Sequence, residues 1–548
     1  PTLADFENHE GCNEILNVTR PDIVKAVHIE YLNAGVDAIE TNTFGANFAN
    51  LAEYGIEDRI FELSLAGAKI AREAADEFST PGNLRWVLGS LGPGTKLPTL
   101  GHTTYQNLKD AYATASKGLI QGGVDALLIE TTQDLLQAKA AVNGAREAIK
   151  LSKKDIVLIA QVTVETNGTM LMGSEIGAAL NALEPLGIDL IGLNCATGPA
   201  EMSEHLRVLS KGASVGISVM PNAGLPVLGK NGAHYPLTPI ELASSLKQFV
   251  ADYRVNLIGG CCGTTPAHMK EVVKQIHGTE NSNRSIVREI GASSLYQFVG
   301  FKQDNTYLAI GERANANGSK AFKEALLKED WQSCVEIGRD QIRDGAHMLD
   351  LSVDYVGRDG VADMKELAFR FATTSTLPIV LDSTEPAVLK AGLEQLGGRS
   401  VINSVNFEDG DGESSRFAKI MPLVVEHGSA VIALTIDEQG QARDADWKLR
   451  VSRRLVNDLT GKWGMRTCDI LIDCLTFPIA TGQEETRKDG IETLKVDPSS
   501  NAAIYDAVGN SASLSQPNST AKLNDQNRGI LLEIMSESGR REYVGFGL

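Results

Sequence analysis

Leu190-Ile-Gly-Leu-Asn-Cys195 and Leu257-Ile-Gly-Gly-Cys-Cys-Gly-Thr-Thr265 are two short apolar runs, each ending in cysteine and a polar loop. Runs of this length bounded by turn residues read as strands of a parallel sheet, which puts the cysteines at strand ends. Adjacent Cys261 and Cys262 are poorly placed to bridge each other, because disulfide geometry resists neighbouring residues. Three thiolates, Cys195, Cys261 and Cys262, converging at a barrel mouth would hold zinc with its fourth position open, as catalytic zinc sites do. Taken singly, each would read as a buried structural thiol, since free cysteine packs as a small hydrophobe. The strand-end placement of both runs favours the metal.

Outward from these runs the same alternation continues. Strands are expected at Asp37–Phe44, Trp86–Gly92, Ala126–Thr132, Ile156–Val164, Leu190–Cys195, Ser214–Met220 and Leu257–Cys261, with helices such as Pro21–Ala34, Ile60–Glu77 and Asn107–Gly122 between them. Thr19 is the expected cap of the first helix, with Pro21 in its first turn. Strands alternating with helices at this spacing imply a closed (β/α)8 barrel. Seven strands are visible, and the expectation is that the first lies ahead of Pro1. After a polar stretch, alternation resumes with Tyr307–Gly311, His347–Val353, Pro378–Asp382, Ser400–Ser404, Ala430–Ile436 and Ile470–Asp473. The fold class is therefore α/β, two tandem (β/α)8 TIM barrels, over residues 1–280 and 306–548 with a linker at 281–305. From about Lys495 the pattern degrades, and the last two units of the second barrel are not recognisable.

A chain of 548 residues exceeds what one hydrophobic core organises, which agrees with two domains. Seven cysteines in this length do not make a disulfide scaffold, so a reducing cytoplasm is expected. No apolar stretch approaches the roughly 20 residues that span a bilayer, and no secretory leader is expected. The net charge of −19 argues against a nucleic-acid partner. It would also suit a partner with a basic docking surface.

Chemistry in such barrels gathers at the C-terminal strand ends. In the first half these carry Glu40 to Phe44, Gly92 to Gly94, Glu130 to Thr132, Asn194-Cys195, Pro221 to Gly224 and Cys261-Cys262. A cysteine-only zinc site favours a soft anionic fourth ligand, a thiolate, and the metal would keep that thiol deprotonated at neutral pH. Glu130 is placed to bind a substrate ammonium group; a helix cap or a rim ion pair would explain it equally well. The motifs Ile39-Glu-Thr-Asn-Thr-Phe44, Leu128-Ile-Glu-Thr131, Gly192-Leu-Asn-Cys195, Pro221-Asn-Ala-Gly-Leu-Pro226 and Gly259-Gly-Cys-Cys-Gly-Thr-Thr-Pro266 closely resemble the homocysteine S-methyltransferase family over about residues 5–278. The resemblance implies that Cys195, Cys261 and Cys262 bind zinc and that homocysteine sulfur completes the tetrahedron. It also implies that Glu130 and Thr43 place the amino acid end of homocysteine. The family's first strand, an Asp-Gly run, has no counterpart here.

The second half carries amides and carboxylates at its strand ends: Glu312, Asn315, Asp350, Asp354, Asp382, Asn403, Asp437 and Asp473. Such groups suit the edge of a flat heterocycle with both donors and acceptors; a magnesium site is the alternative. The runs Gly311-Glu-Arg-Ala-Asn315, Leu381-Asp-Ser383, Ile402-Asn-Ser404 and Asp437-Glu-Gln-Gly440 resemble the pterin-binding barrels of methyltetrahydrofolate methyltransferases and dihydropteroate synthases. They are closest to the folate module of the cobalamin-dependent methionine synthase family. This implies pterin contacts by Glu312, Asn315, Asp382, Asn403 and Asp473, with Asp382, Asn403 and Asp473 supporting proton transfer near N5. Cys474 stands where that family usually has proline, and Asn510 lies in the region of its strand-seven asparagine without matching surroundings.

The order of the two modules implies methyl transfer from 5-methyltetrahydrofolate to homocysteine through cobalamin, giving methionine and tetrahydrofolate. The lower-ligand motif Asp-x-His-x-x-Gly is absent from all 548 residues. The corrinoid is thus expected on a domain or partner protein outside this chain. A corrinoid-independent homocysteine S-methyltransferase, a dihydropteroate synthase-like enzyme and a silent zinc scaffold are the competing readings.

Overall fold

The computed structural model describes residues 1–229, 232–279, 283–304, 307–476, 488–496, 529–535 and 541–547. They fall into two compact units, Pro1–Arg288 and Glu289–Leu548. No described helix is long and apolar enough to cross a membrane. Both units are TIM-barrel-like α/β folds.

In the first unit, β1 (Ala38–Glu40), β2 (Trp86–Leu91), β3 (Ala126–Thr132), β4 (Val157–Val162), β5 (Leu190–Asn194), β6 (Gly216–Met220) and, after a small hairpin, β9 (Leu257–Ile258) form one parallel sheet in chain order. The hairpin is β7 (Val227–Gly229) paired antiparallel with β8 (Gly232–His234). The inward positions stack into an apolar layer of Leu88, Ala126, Leu128, Ile159 and Met220, backed by Ala38, Leu190 and Leu257. The seven strands curl but do not close. A cavity of about 990 Å³, lined by Ile39, Glu40, Leu257, Ile258 and Cys261 among others, lies between the edge strands β1 and β9.

Local chemistry sets the helices. Thr104 caps the helix Tyr105–Gly122 by accepting from Asn107 N, and Gly123 ends it at φ 99°. Buried Asp134 caps Leu135–Ser152 through Leu136 N and also holds Thr99 N and Oγ1, tying the loop after β2 to that helix. The helix Pro21–Asn33 begins one residue later than the Thr19 cap would place it. Arg20 is its N-cap, and the Thr19 hydroxyl instead donates to Asp5 O and Ile15 O.

The second unit opens with an antiparallel hairpin, β10 (Gly291–Ser293) and β11 (Phe298–Gly300), inside the stretch expected as linker. Ala292 and Phe301 join Leu308, Ile310, Met348, Val380, Val401, Ala430, Ile432 and Leu471 in one buried cluster, so the hairpin covers the N-terminal end of the sheet. Six parallel strands follow: β12 (Leu308–Asn315), β13 (Met348–Ser352), β14 (Ile379–Asp382), β15 (Val401–Val405), β16 (Ala430–Leu434) and, past a short ribbon of β17 (Ile436–Asp437) and β18 (Gly440–Gln441), β19 (Ile470–Asp473). β20 (Gly529–Met535) runs parallel to β19, and β21 (Arg541–Gly547) pairs antiparallel with both β20 and β12, closing the barrel. The degraded tail thus still supplies two strands, though as an antiparallel pair. Asn510 lies outside the described residues.

Arg399 is 1% exposed and locks this arrangement. It donates to Gly428 O (2.8 Å) and Gly291 O (3.1 Å) and pairs with Asp469 Oδ1 (2.8 Å). Removing one partner of a buried pair costs about 3–5 kcal/mol. Asp469 keeps a second partner in Arg466, so Arg399→Leu is expected at the low end, about 3 kcal/mol. Urea unfolding of the second unit measures it, and a loss below about 1 kcal/mol would place the lock elsewhere.

Candidate metal centre and polar strand ends

Strand alternation places the first site. Two residues beyond the apolar layer, the same inward faces carry Glu40, Ser90, Glu130 and Gln161, and four residues beyond Leu190 comes Asn194. Glu130 is buried; its Oε1 accepts from Ser90 Oγ at 2.6 Å and its Oε2 from Asn194 Nδ2 at 3.3 Å. Burial raises its carboxyl to about 7 against the pull of the Ser90 hydroxyl, and the charge of Cys262 adds to the rise. Burial likewise raises Glu40, with Glu130 as its charged neighbour. Thr43 donates to Ser90 O (2.7 Å) and lies 2.6 Å from Thr41 Oγ1, so it supports the end of β2.

Thr131 follows Glu130 at φ 56°, a costly conformation for a β-branched residue. Asn194 holds it there: its Oδ1 accepts from Thr131 N and its Nδ2 donates to Thr131 Oγ1, both at 2.7 Å. Cys195 and Ala196 also take left-handed backbone, φ 61° and 55°, which turns the chain at the end of β5.

The three cysteines meet. Cys262 Sγ lies 3.9 Å from both Cys195 Sγ and Cys261 Sγ, and all three sulfurs are within 4.8 Å of one another. Tetrahedral zinc with Zn–S near 2.3 Å would hold its sulfurs about 3.8 Å apart, which the two 3.9 Å spacings match. The backbone is fixed around them: Cys195 N donates to Met220 O, Cys261 N to Pro221 O, and Cys262 N to Asn222 Oδ1. Hydrogen bonds from Cys195 and Cys261 lower the Cys262 thiol, while Cys261 is raised.

The second unit repeats the device. Two residues past Ile310, Met348, Val380, Val401 and Leu471 come Glu312, Asp350, Asp382, Asn403 and Asp473. Asn315 is the hub: its Nδ2 donates to Asp350 Oδ2 and Asp382 Oδ2, both at 3.0 Å, and its Oδ1 accepts from Asn317 N and Gly318 N. Asn403 Nδ2 reaches Asp350 Oδ1 at 3.4 Å. Glu312 is half-buried within an irregularity of β12, and Asp473 is buried at the end of β19 with Oδ1 on Leu475 N. Asp354 and Asp437 are engaged otherwise, by Ser383 Oγ and by Trp447 Nε1.

Ser90, the roles of Asn194 and Asp350, and the backbone anchor Asn222 went unassigned in the sequence. Counting in twos from Leu88 would have found Ser90; Asn222 carries no such signal, because it sits in a loop.

The model of the homocysteine S-methyltransferase family matches residues 2–276, and that of pterin binding enzymes residues 311–523. The chain belongs to the homocysteine S-methyltransferase family, joined here to a pterin-binding module. It is 63% identical over 494 residues to methionine synthase of Mycobacterium tuberculosis (strain ATCC 25618 / H37Rv) and 62% identical over 498 to that of Mycobacterium leprae (strain TN). Each match covers 90% of this chain but 41% of the relative. Among solved structures, the metallated homocysteine methyltransferase MmuM from Escherichia coli is 21% identical, with 50% of this chain and 94% of that one covered and a TM-score of 0.40.

The raised Glu130 carboxyl makes stability depend on pH. Its ionised form is disfavoured in the fold, so its contribution is intact below the ordinary value of 4.5 and is lost as pH rises to about 7. In the zinc-free protein, Glu130→Gln should gain stability relative to wild type across that window and hold a constant lead above it. Parallel pH profiles of the two proteins in urea would refute the assignment.

Proposed function

We propose that this chain is the substrate-binding part of an enzyme that moves a methyl group from 5-methyltetrahydrofolate to homocysteine, giving methionine and tetrahydrofolate. The observation that carries the reading is the triad of sulfurs at tetrahedral zinc spacing in one unit of a chain whose other unit presents a preformed amide–carboxylate layer. Cys195, Cys261 and Cys262 would hold zinc, which supplies a Lewis acid that keeps a substrate thiol deprotonated at neutral pH. Glu130, steadied by Ser90 and Asn194, would take the homocysteine ammonium group. Thr43 acts through Ser90, whose backbone it holds.

In the second unit Asn315, Asp382, Asn403 and Asp473 would fix the pterin ring, with Glu312 at its edge. The mutual hydrogen bonds of Asn315, Asp350, Asp382 and Asn403 orient these groups in advance. Asp382, Asn403 and Asp473 would also support proton transfer at the reacting end of the folate. Cobalamin, the methyl carrier, would reside on a domain or partner protein outside this chain. Seven free cysteines suit a reducing compartment, the cytoplasm.

Methyl transfer from labelled 5-methyltetrahydrofolate to homocysteine is expected only when cobalamin is supplied; transfer without it overturns the corrinoid assignment. X-ray absorption at zinc should count three sulfurs alone and four with homocysteine. A count that stays at three would leave a structural zinc scaffold as the reading. Asn315→Ala, which removes the hub, should weaken folate binding about tenfold or more, a loss near 1.4 kcal/mol or above, by equilibrium titration.

A further inference from the structure

Lysine is seldom enclosed, yet Lys448 is 0% exposed. It stands near the start of the helix Ala445–Gly461, which Asp444 caps through Trp447 N. Trp447 donates Nε1 to Asp437 Oδ2 at 2.9 Å and ties the helix to the ribbon after β16. Lys448 ties it to the next strand end: its Nζ donates to Cys474 O, directly after β19.

The carbonyl it holds belongs to the peptide unit that joins Cys474 to Leu475. The N–H of that same unit, on Leu475, donates to Asp473 Oδ1 at 2.7 Å. A peptide unit is planar with its C=O and N–H pointing opposite ways, so fixing one end fixes the other. Leu475 lies at φ 52°, left-handed backbone in which its Cβ crowds the following carbonyl. Turning the peptide over would return Leu475 to an ordinary negative φ and carry the N–H away from Asp473. Asp473 is 1% exposed, and its backbone is secured separately, with Thr435 N on its O at 3.0 Å. The peptide therefore steers the carboxylate rather than the strand.

We propose that Lys448 is a positioning residue of the second unit's site, holding the Cys474–Leu475 peptide in its left-handed turn and so aiming the Asp473 carboxylate. The inference rests on the reading of Asp473 as a pterin contact. A charged donor makes a stronger hydrogen bond to a carbonyl than a neutral one, and burial keeps water from competing for it. Without that ammonium, relief of the crowding at Leu475 favours the turned peptide. Asp473 then stays on β19 but loses the N–H that orients it.

The test measures 5-methyltetrahydrofolate binding to the 548-residue chain by equilibrium titration, for Lys448→Met, Asp473→Ala and the two together, with urea unfolding to follow the fold. Lys448→Met keeps a stem of similar length and removes the donor. It should weaken binding about tenfold where Asp473 is present and less than about twofold where alanine replaces it, because one residue acts through the other. Adding Leu475→Gly to Lys448→Met should return about threefold, since glycine holds the left-handed turn without steric cost. If Lys448→Met does not fold, Lys448→Gln takes its place with the same outcomes. Equal losses in both backgrounds, or no return from Leu475→Gly, overturn the role of Lys448 and leave the folate reading standing. An Asp473→Ala chain that binds as wild type does overturns the pterin contact of Asp473 along with it, and a wild-type chain that binds no folate overturns the folate reading as well.

Discussion

The two-residue repeat of a strand over a packed interior governs everything these units present at their strand ends. Below, the inward positions are apolar and close-packed: Leu88, Leu128 and Ile159 in one unit, Met348, Val380 and Val401 in the other. One repeat further along, or two for Asn194, the same faces must be polar to be of use, yet they are still shielded from water. A buried polar group without a partner is costly, so these side chains pair with one another. Ser90–Glu130–Asn194 and Asn315–Asp350–Asp382–Asn403 are the two outcomes. Each is oriented by its neighbours before a ligand arrives.

The units then differ in where they put their chemistry. The first passes it beyond the strands: Cys195 turns off β5 in left-handed backbone, and Cys261-Cys262 follow β9, held by Pro221 O and Asn222 Oδ1 of a third segment. Sulfur ligands need this, because three thiols must approach within 4 to 5 Å without filling the barrel. The second keeps its groups on the strands themselves, as a layer of alternating donors and acceptors suits a flat ligand better than a point-like ion.

Much of this was legible in the residues. Ala126–Thr132 and Ile470–Asp473 are bounded as strands by their composition alone, and the cysteine triad follows once its runs are placed at strand ends. The misses have physical causes. The Gly291–Ser293 and Phe298–Gly300 hairpin is made of three-residue strands, too short for a period, and its burial comes from a barrel floor formed by distant residues. Thr19 looked like a cap, but its hydroxyl is satisfied by carbonyls behind it. The closing pair of the second barrel breaks the strand–helix rhythm that reveals the others.

Cys195 and Cys262 stand 67 positions apart, with β6, the β7–β8 arm and the helix Pro239–Tyr253 between them. The sulfurs meet only where those elements pack together, so the complete site belongs to the folded unit. Metal uptake would then report on the folded state of this last third of the unit, and the free energy of binding would act as a clasp on it. An ion that leaves would loosen this region first, while the helices packed around β2 and β3 stay as they were.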